Sequence, residues 1–156
     1  MRADPGNKPC RTSGKLGTTP PPVKAELTSE AAPGSPSRKI RRILLVEDHH
    51  DTALIMRRLL ESRRYQVHIA GSVQTALRMA GEQPFDLLIC DIGLPDGSGL
   101  ELMRSIQKIQ SIKGVALTGF SRDDDVQNSL AAGFYAHLTK PVDFNHLQAV
   151  IREAEL

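Results

Sequence analysis

An α/β fold with a doubly wound parallel sheet follows from two features of this chain. Five short apolar runs are nearly continuous rather than alternating, and amphipathic stretches fill the gaps between them through short connections. Continuous apolar runs suit strands covered on both faces, as in a parallel sheet flanked by crossover helices. Right-handed crossovers through five such units produce the doubly wound arrangement.

The strands are expected at about 42–47, 65–70, 86–91, 114–118 and 135–139. The first helix, about 51–63, pairs Ile55 with Leu59 and Met56 with Leu60 at i,i+4 behind Asp51-Thr52. Ser72 caps the second, about 72–80, whose Val73, Ala76, Leu77 and Ala80 form an i, i+3, i+4, i+7 stripe. The third, about 98–109, presents Leu100, Met103 and Ile106. The fourth, about 122–132, is thinly apolar, with Val126 and Leu130, and stops at Gly133. The fifth, about 143–154, starts at Asp143 and sets Phe144, Leu147, Val150 and Ile151 on one face.

The formal charge of +2 conceals a division. Residues 1–42 hold nine Lys/Arg against three acids, while the remainder holds eleven basic and fifteen acidic residues. Seven of the ten prolines also fall in the first 42 residues, which contain no aromatic residue. Such a segment cannot bury enough apolar surface to offset its chain entropy. Residues 1–40 are therefore expected to be a disordered basic tail or linker, and 41–156 the folded domain. The tail's charges are spread among prolines, which fits a solvated linker, so no direct nucleic-acid binding is expected. Two cysteines, Cys10 and Cys90, sit in a tail and a buried run, which favours reduced thiols and a cytoplasmic setting. No apolar stretch approaches the roughly 20 residues of a membrane span.

Chemistry concentrates at the strand ends. The first apolar run ends in Glu47-Asp48, the third in Asp91, the fourth in Thr118 and the fifth in Lys140-Pro141. In an open α/β sheet the carboxyl edge is where ligands bind. Converging carboxylates repel, by roughly 4 kcal/mol per pair at 4 Å and an effective dielectric of 20. A bound cation, a raised pKa or Lys140 must compensate. Oxygen donors from a few carboxylates suit Mg²⁺, with Mn²⁺ a possible substitute. With the charge neutralised, Asp91 can accept a phosphoryl group as an acyl phosphate, and Thr118 and Lys140 supply donors to its oxygens. His49 and His50 do not make a zinc site, because adjacent imidazoles point apart at a helix start. Cys90 fits the core, and Asp123-Asp124-Asp125 fits a helix N-terminus rather than a second metal site.

Ile43-Leu44-Leu45-Val46-Glu47-Asp48, Asp91-Ile92-Gly93-Leu94-Pro95-Asp96-Gly97-Ser98-Gly99, Ala116-Leu117-Thr118-Gly119 and Lys140-Pro141 together resemble the receiver domain of two-component response regulators, over about 42–155. The resemblance implies a flavodoxin-like sheet in the order 2-1-3-4-5 and a phosphorelay role without enzymatic turnover of other substrates. It implies Asp91 as phosphoacceptor, Asp48 as a direct Mg²⁺ ligand, Glu47 acting through water, and the Gly93 carbonyl as a further ligand. Thr118 and Lys140 would contact the phosphoryl oxygens, and Lys140-Pro141 would be cis. A histidine kinase or histidine phosphotransfer protein would donate the group. A downstream protein would read the face built from the fourth helix, fifth strand and fifth helix, since no output domain follows. Where the family often carries Tyr or Phe, this chain has His137, so the Thr118–His137 switch should favour a neutral, inward imidazole and weaken toward pH 6. The alternative function is a Mg²⁺-dependent phosphatase or phosphotransferase with an aspartyl nucleophile, which lacks a cap insertion here. A piece of a hybrid histidine kinase would show the same tail and domain.

Overall fold

The computed structural model describes residues 39–119 and 123–156. The tail expected at 1–40 lies outside the described residues except for Lys39 and Ile40. Ile40 departs from that expectation: it is buried in the core, and its N–H donates to Glu155 Oε1 at 3.1 Å.

The elements run β1 (Arg42–Val46), α1 (His50–Glu61), β2 (Gln66–Ala70), α2 (Val73–Glu82), β3 (Leu87–Asp91), β4 (Gly93–Leu94), β5 (Gly97–Ser98), α3 (Gly99–Ile109), β6 (Lys113–Thr118), α4 (Asp123–Ala131), β7 (Ala136–Thr139) and α5 (Phe144–Ala154). Five strands pair in parallel in the order β2-β1-β3-β6-β7, the expected order with β6 and β7 as fourth and fifth. The short antiparallel hairpin β4–β5 is an addition that residue pattern did not signal.

Alternation along each strand splits the core into two layers. Ile43, Leu45, Leu87, Ile89, Val115 and Leu117 pack toward α1 and α5. Leu44, Val46, Leu88, Cys90 and Ala116 pack toward α2 and α3. Every residue of β3 is buried, so its last residue, Asp91, is fixed by packing on both faces.

Two helices differ from expectation. α1 starts at His50 with His49 as its N-cap, and of the two expected pairs only Met56 and Leu60 face the core, beside Ala53. Ile55 and Leu59 are 60% and 39% exposed, about 100° round the helix from Met56 and Leu60. In α4 the buried residue is Ser129, and Leu130 points outward. The caps at Ser72 and Asp143 form as expected, and Gly133 ends α4 with φ 103°.

The segment after β3 is held at both ends. Asp96 accepts from Val73 N and Gln74 N at 2.8 and 3.0 Å, which ties the hairpin to the N-terminus of α2. Those N–H groups keep the Asp96 carboxyl below the usual range. Gly99 N donates to Ile92 O at 2.8 Å. A Cβ at Gly99 would meet the Asp91 carbonyl oxygen, with Cys90 Sγ and Ile92 Cα at 3.0 Å, whereas one at Gly97 would reach only Val73 Cγ2 at 3.3 Å. Gly99→Ala should therefore cost about 1–3 kcal/mol in urea unfolding, and Gly97→Ala clearly less. Equal losses would show that Asp91's backbone is not what glycine protects.

Candidate functional site

Four strand ends meet at one edge of the sheet. The Glu47 N–H donates to Ala70 O at 3.0 Å, which carries the β1 pairing one residue past Val46 and buries Glu47. Asp91 closes β3 opposite Leu117, and Thr118 closes β6 opposite Thr139. Lys140 N donates to Thr118 O at 2.7 Å, and the Lys140-Pro141 bond is cis.

Lys140 Nζ then lies 2.8 Å from both Glu47 Oε2 and Asp91 Oδ2. The second Asp91 oxygen, Oδ1, accepts from Gly93 N at 3.0 Å. Burial pulls the Lys140 ammonium down, but its hydrogen bonds to Asp91 and Glu47 outweigh that and leave its pKa raised. The ammonium stays charged between the two carboxylates.

Glu47, Asp48 and His49 each place a donor atom within 4.8 Å of the others, the only such group among the described residues. Asp91 lies outside that tight group, joined to Glu47 through Lys140. The oxygen-rich donor set fits a small, hard divalent cation. Residue pattern did not place His49 here. Its Nδ1 lies 3.2 Å from Glu47 Oε1 and from Asp48 Oδ1, and its N–H donates to Glu47 Oε1 at 3.1 Å. The bond to Glu47 and the charge of Asp48 raise its pKa. His50 is exposed and outside the group. Cys90 is buried, its thiol pushed far above the ordinary range by desolvation. Asp123, Asp124 and Asp125 form the first turn of α4.

His137 sits on β7 opposite Ala116. Ser129 Oγ donates to Asp125 O at 2.9 Å, so it accepts from His137 Nδ1 at 3.1 Å. Nε2 is then the bare nitrogen, buried with no hydrogen-bond partner among the described residues. Burial lowers the His137 pKa, against a smaller opposing effect of the Asp125 carboxylate. A depressed histidine pKa means the unfolded chain binds more protons as pH falls from about 6.5. The stability linked to His137 is thus present above that pH and is lost on acidification. Imidazole NMR titration should find His137 titrating below 6.5, and the stability gap between wild type and His137→Phe should open in favour of the variant as pH drops toward 5. A midpoint above 6.5 would contradict the buried neutral tautomer.

Residues 43–152 match the family model for the response regulator receiver domain. The KDP operon transcriptional regulatory protein KdpE of Escherichia coli K12 is 34% identical over 112 residues, 72% of this chain and 50% of that protein. The chain therefore spans half the length of that curated relative. A CheY-like receiver domain protein from Methanospirillum hungatei JF-1 superposes with a TM-score of 0.71 at 31% identity, covering 75% of this chain and 94% of that one. A Burkholderia pseudomallei response regulator, solved with a phosphorylated aspartic acid, calcium ion and citrate, gives 0.69 at 26% identity, covering 74% of this chain and 68% of that one.

Proposed function

Because the chain belongs to the response regulator receiver family, we propose that it accepts a phosphoryl group on Asp91 with Mg²⁺, or Mn²⁺ in its place, as one step of a phosphorelay. The observation that carries the proposal is the Lys140 ammonium held 2.8 Å from both Asp91 and Glu47. It neutralises the acceptor's edge and is aimed where phosphoryl oxygens arrive. The phosphorylated aspartic acid of the Burkholderia pseudomallei relative lends support.

Asp48, Asp91 and the Gly93 carbonyl would hold the cation directly, and Glu47 through water. When bound, it neutralises carboxylates and phosphoryl oxygens. Asp91 attacks phosphorus on a donor histidine: the new P–O bond forms as the P–N bond breaks, and the departing imidazole takes a proton from solvent. Lys140 moves a hydrogen bond from a carboxylate to a phosphoryl oxygen, and the Thr118 hydroxyl donates to another. Thr118, drawn inward, and His137, tied through Ser129 to α4, form the switch that alters the face built from α4, β7 and α5 for a downstream protein.

Receiver domains take their group from histidine kinases or phosphotransfer proteins. A groove of about 450 Å³ runs from His49 and Lys140 along Ile55, Leu59, Pro141 and Phe144. Its exposed apolar wall, next to the acceptor, suits the helix that carries a donor histidine. Among the described residues no helix is long and apolar enough to cross a membrane, and we place the reaction in the cytoplasm.

Intact-mass measurement after acetyl phosphate and Mg²⁺ should show one added phosphate on wild type and on a chain beginning at Lys39, and none on Asp91→Asn or without cation. Thr118→Ala should still be labelled yet lose the amide shifts of residues 123–140 on beryllofluoride addition. Label on Asp91→Asn at equal yield would refute the acceptor. Sustained turnover of p-nitrophenyl phosphate would favour an aspartyl phosphatase instead.

The groove is tested separately. Ile55→Asp with Leu59→Ala should leave acetyl phosphate labelling unchanged but slow transfer from a phosphohistidine protein at least about tenfold, about 1.4 kcal/mol. Equal slowing with both donors would place the defect in the acceptor site.

A further inference from the structure

The other end of the strands carries opposite charge. Lys39, Arg41, Arg63 and Arg64 line one open cleft of about 560 Å³ together with Tyr65 and Glu155. All four cations are exposed, and none forms an ion pair with a described residue. The nearby acids are engaged elsewhere. Glu155 accepts from Ile40 N, Glu61 pairs with Arg57 at 2.8 Å, and Asp86 accepts from the backbone N–H groups of Arg41 and Arg42.

A second observation makes this more than a solvated surface. Arg64 has φ 72°, a left-handed conformation at the turn after α1. Its N–H donates to Glu61 O at 2.9 Å, and Tyr65 N to Leu60 O at 3.4 Å. The same pair of bonds closes α4, from Gly133 N to Leu130 O and from Phe134 N to Ser129 O, with glycine at the left-handed position. One molecule thus builds one turn twice, once with the residue that fits it without strain and once with an arginine that does not. An outlier of this kind points from strain to use: the guanidinium is held in the cleft at the expense of the fold.

We propose that this cleft at the amino ends of the strands binds the phosphate backbone of a nucleic acid, without reading its sequence. Guanidinium groups present a planar fork matched to phosphate oxygens, and three of the four cations are arginines. The lining offers no exposed aliphatic side chain to anchor in a bilayer, since Ile40 is buried. A long, regular polyanion matches four exposed cations spread along an open cleft better than a compact acidic patch on a protein does.

The test uses the full chain, a fluorescein-labelled 20-nucleotide single strand and the corresponding duplex, read by anisotropy between 50 and 200 mM salt. Wild type should bind and weaken steeply with salt. Arg63→Ala with Arg64→Ala should bind at least about tenfold more weakly at 50 mM, with a salt slope smaller by about 1.4 on the single strand and 1.8 on the duplex. Arg64→Gly should raise the thermal midpoint by about 4 °C while binding more weakly than wild type. Three outcomes overturn the proposal: no binding at 50 mM salt, an unchanged affinity in the double variant, or an arginine-dependent preference for phosphatidylserine vesicles over both oligonucleotides. A lower thermal midpoint for Arg64→Gly would remove the strain on which it rests. Acetyl phosphate labelling of Asp91 should be the same in all these proteins.

Discussion

The contact on which the site depends is one ammonium shared by two carboxylates. Glu47 and Asp91 are both buried, and Lys140 Nζ stands 2.8 Å from each. Removing one member of a buried charged set leaves an uncompensated charge, which costs far more than the contact contributes. The sheet order makes the arrangement possible. β1 and β3 are neighbours, so Glu47 and Asp91 leave adjacent strands. β7 lies two strands from β3, roughly 10 Å at the usual spacing. A long side chain leaving the strand end can cross that distance over β6, and a short one cannot. The backbone bond from Lys140 N to Thr118 O sets where that side chain departs.

Much of this was legible in the sequence because it rests on period and position. Continuous apolar runs and amphipathic spacers define the layers, and a polar residue closing a buried strand has one place to go. Glu47, Asp91, Thr118 and Lys140 all arrive at the carboxyl edge for that reason. What was not legible depends on choices that local pattern leaves degenerate. α1 carries two apolar pairs at helical spacing, and nothing local says that Met56 and Leu60 go inward while Ile55 and Leu59 stay out. In α4 a serine takes the inward place because a histidine faces it across β7, a partner eight residues away.

The support around Asp91 was equally hidden. Asp96 reaches Val73 across 23 residues of sequence, and Gly99 is required by an approach to the Asp91 carbonyl that no turn motif encodes. Both constrain the segment that contains Gly93. The hairpin β4–β5 is thus a brace rather than a sheet: it has two pairs of residues, too few to hold alone, and is fixed by α2 at one end and α3 at the other. His49 belongs with these, since its ring caps nothing and instead folds back on Glu47 and Asp48.

The charge distribution also limits how a modification at Asp91 can be read. A phosphoryl group carries close to two negative charges, but it replaces the one that Asp91 gives up and would arrive at an edge already holding Lys140 and, in the proposed state, a divalent cation. The net field of that edge changes little. Five-residue strands span roughly 17 Å, beyond the Debye length of about 8 Å at physiological salt. The acidic edge and the arginine cleft at the other end are therefore screened from each other. In the proposed state, a signal leaving Asp91 would have to travel by contact. Contacts among the described residues that could carry it include the Thr118–Lys140 backbone bond and the Asp125–Ser129–His137 chain that joins α4 to β7. α4 buries little besides Ser129, so its position depends on that chain of polar contacts more than on apolar packing. An element held in this way shifts when one hydrogen bond is exchanged for another, which is the scale of change a single phosphoryl group can impose.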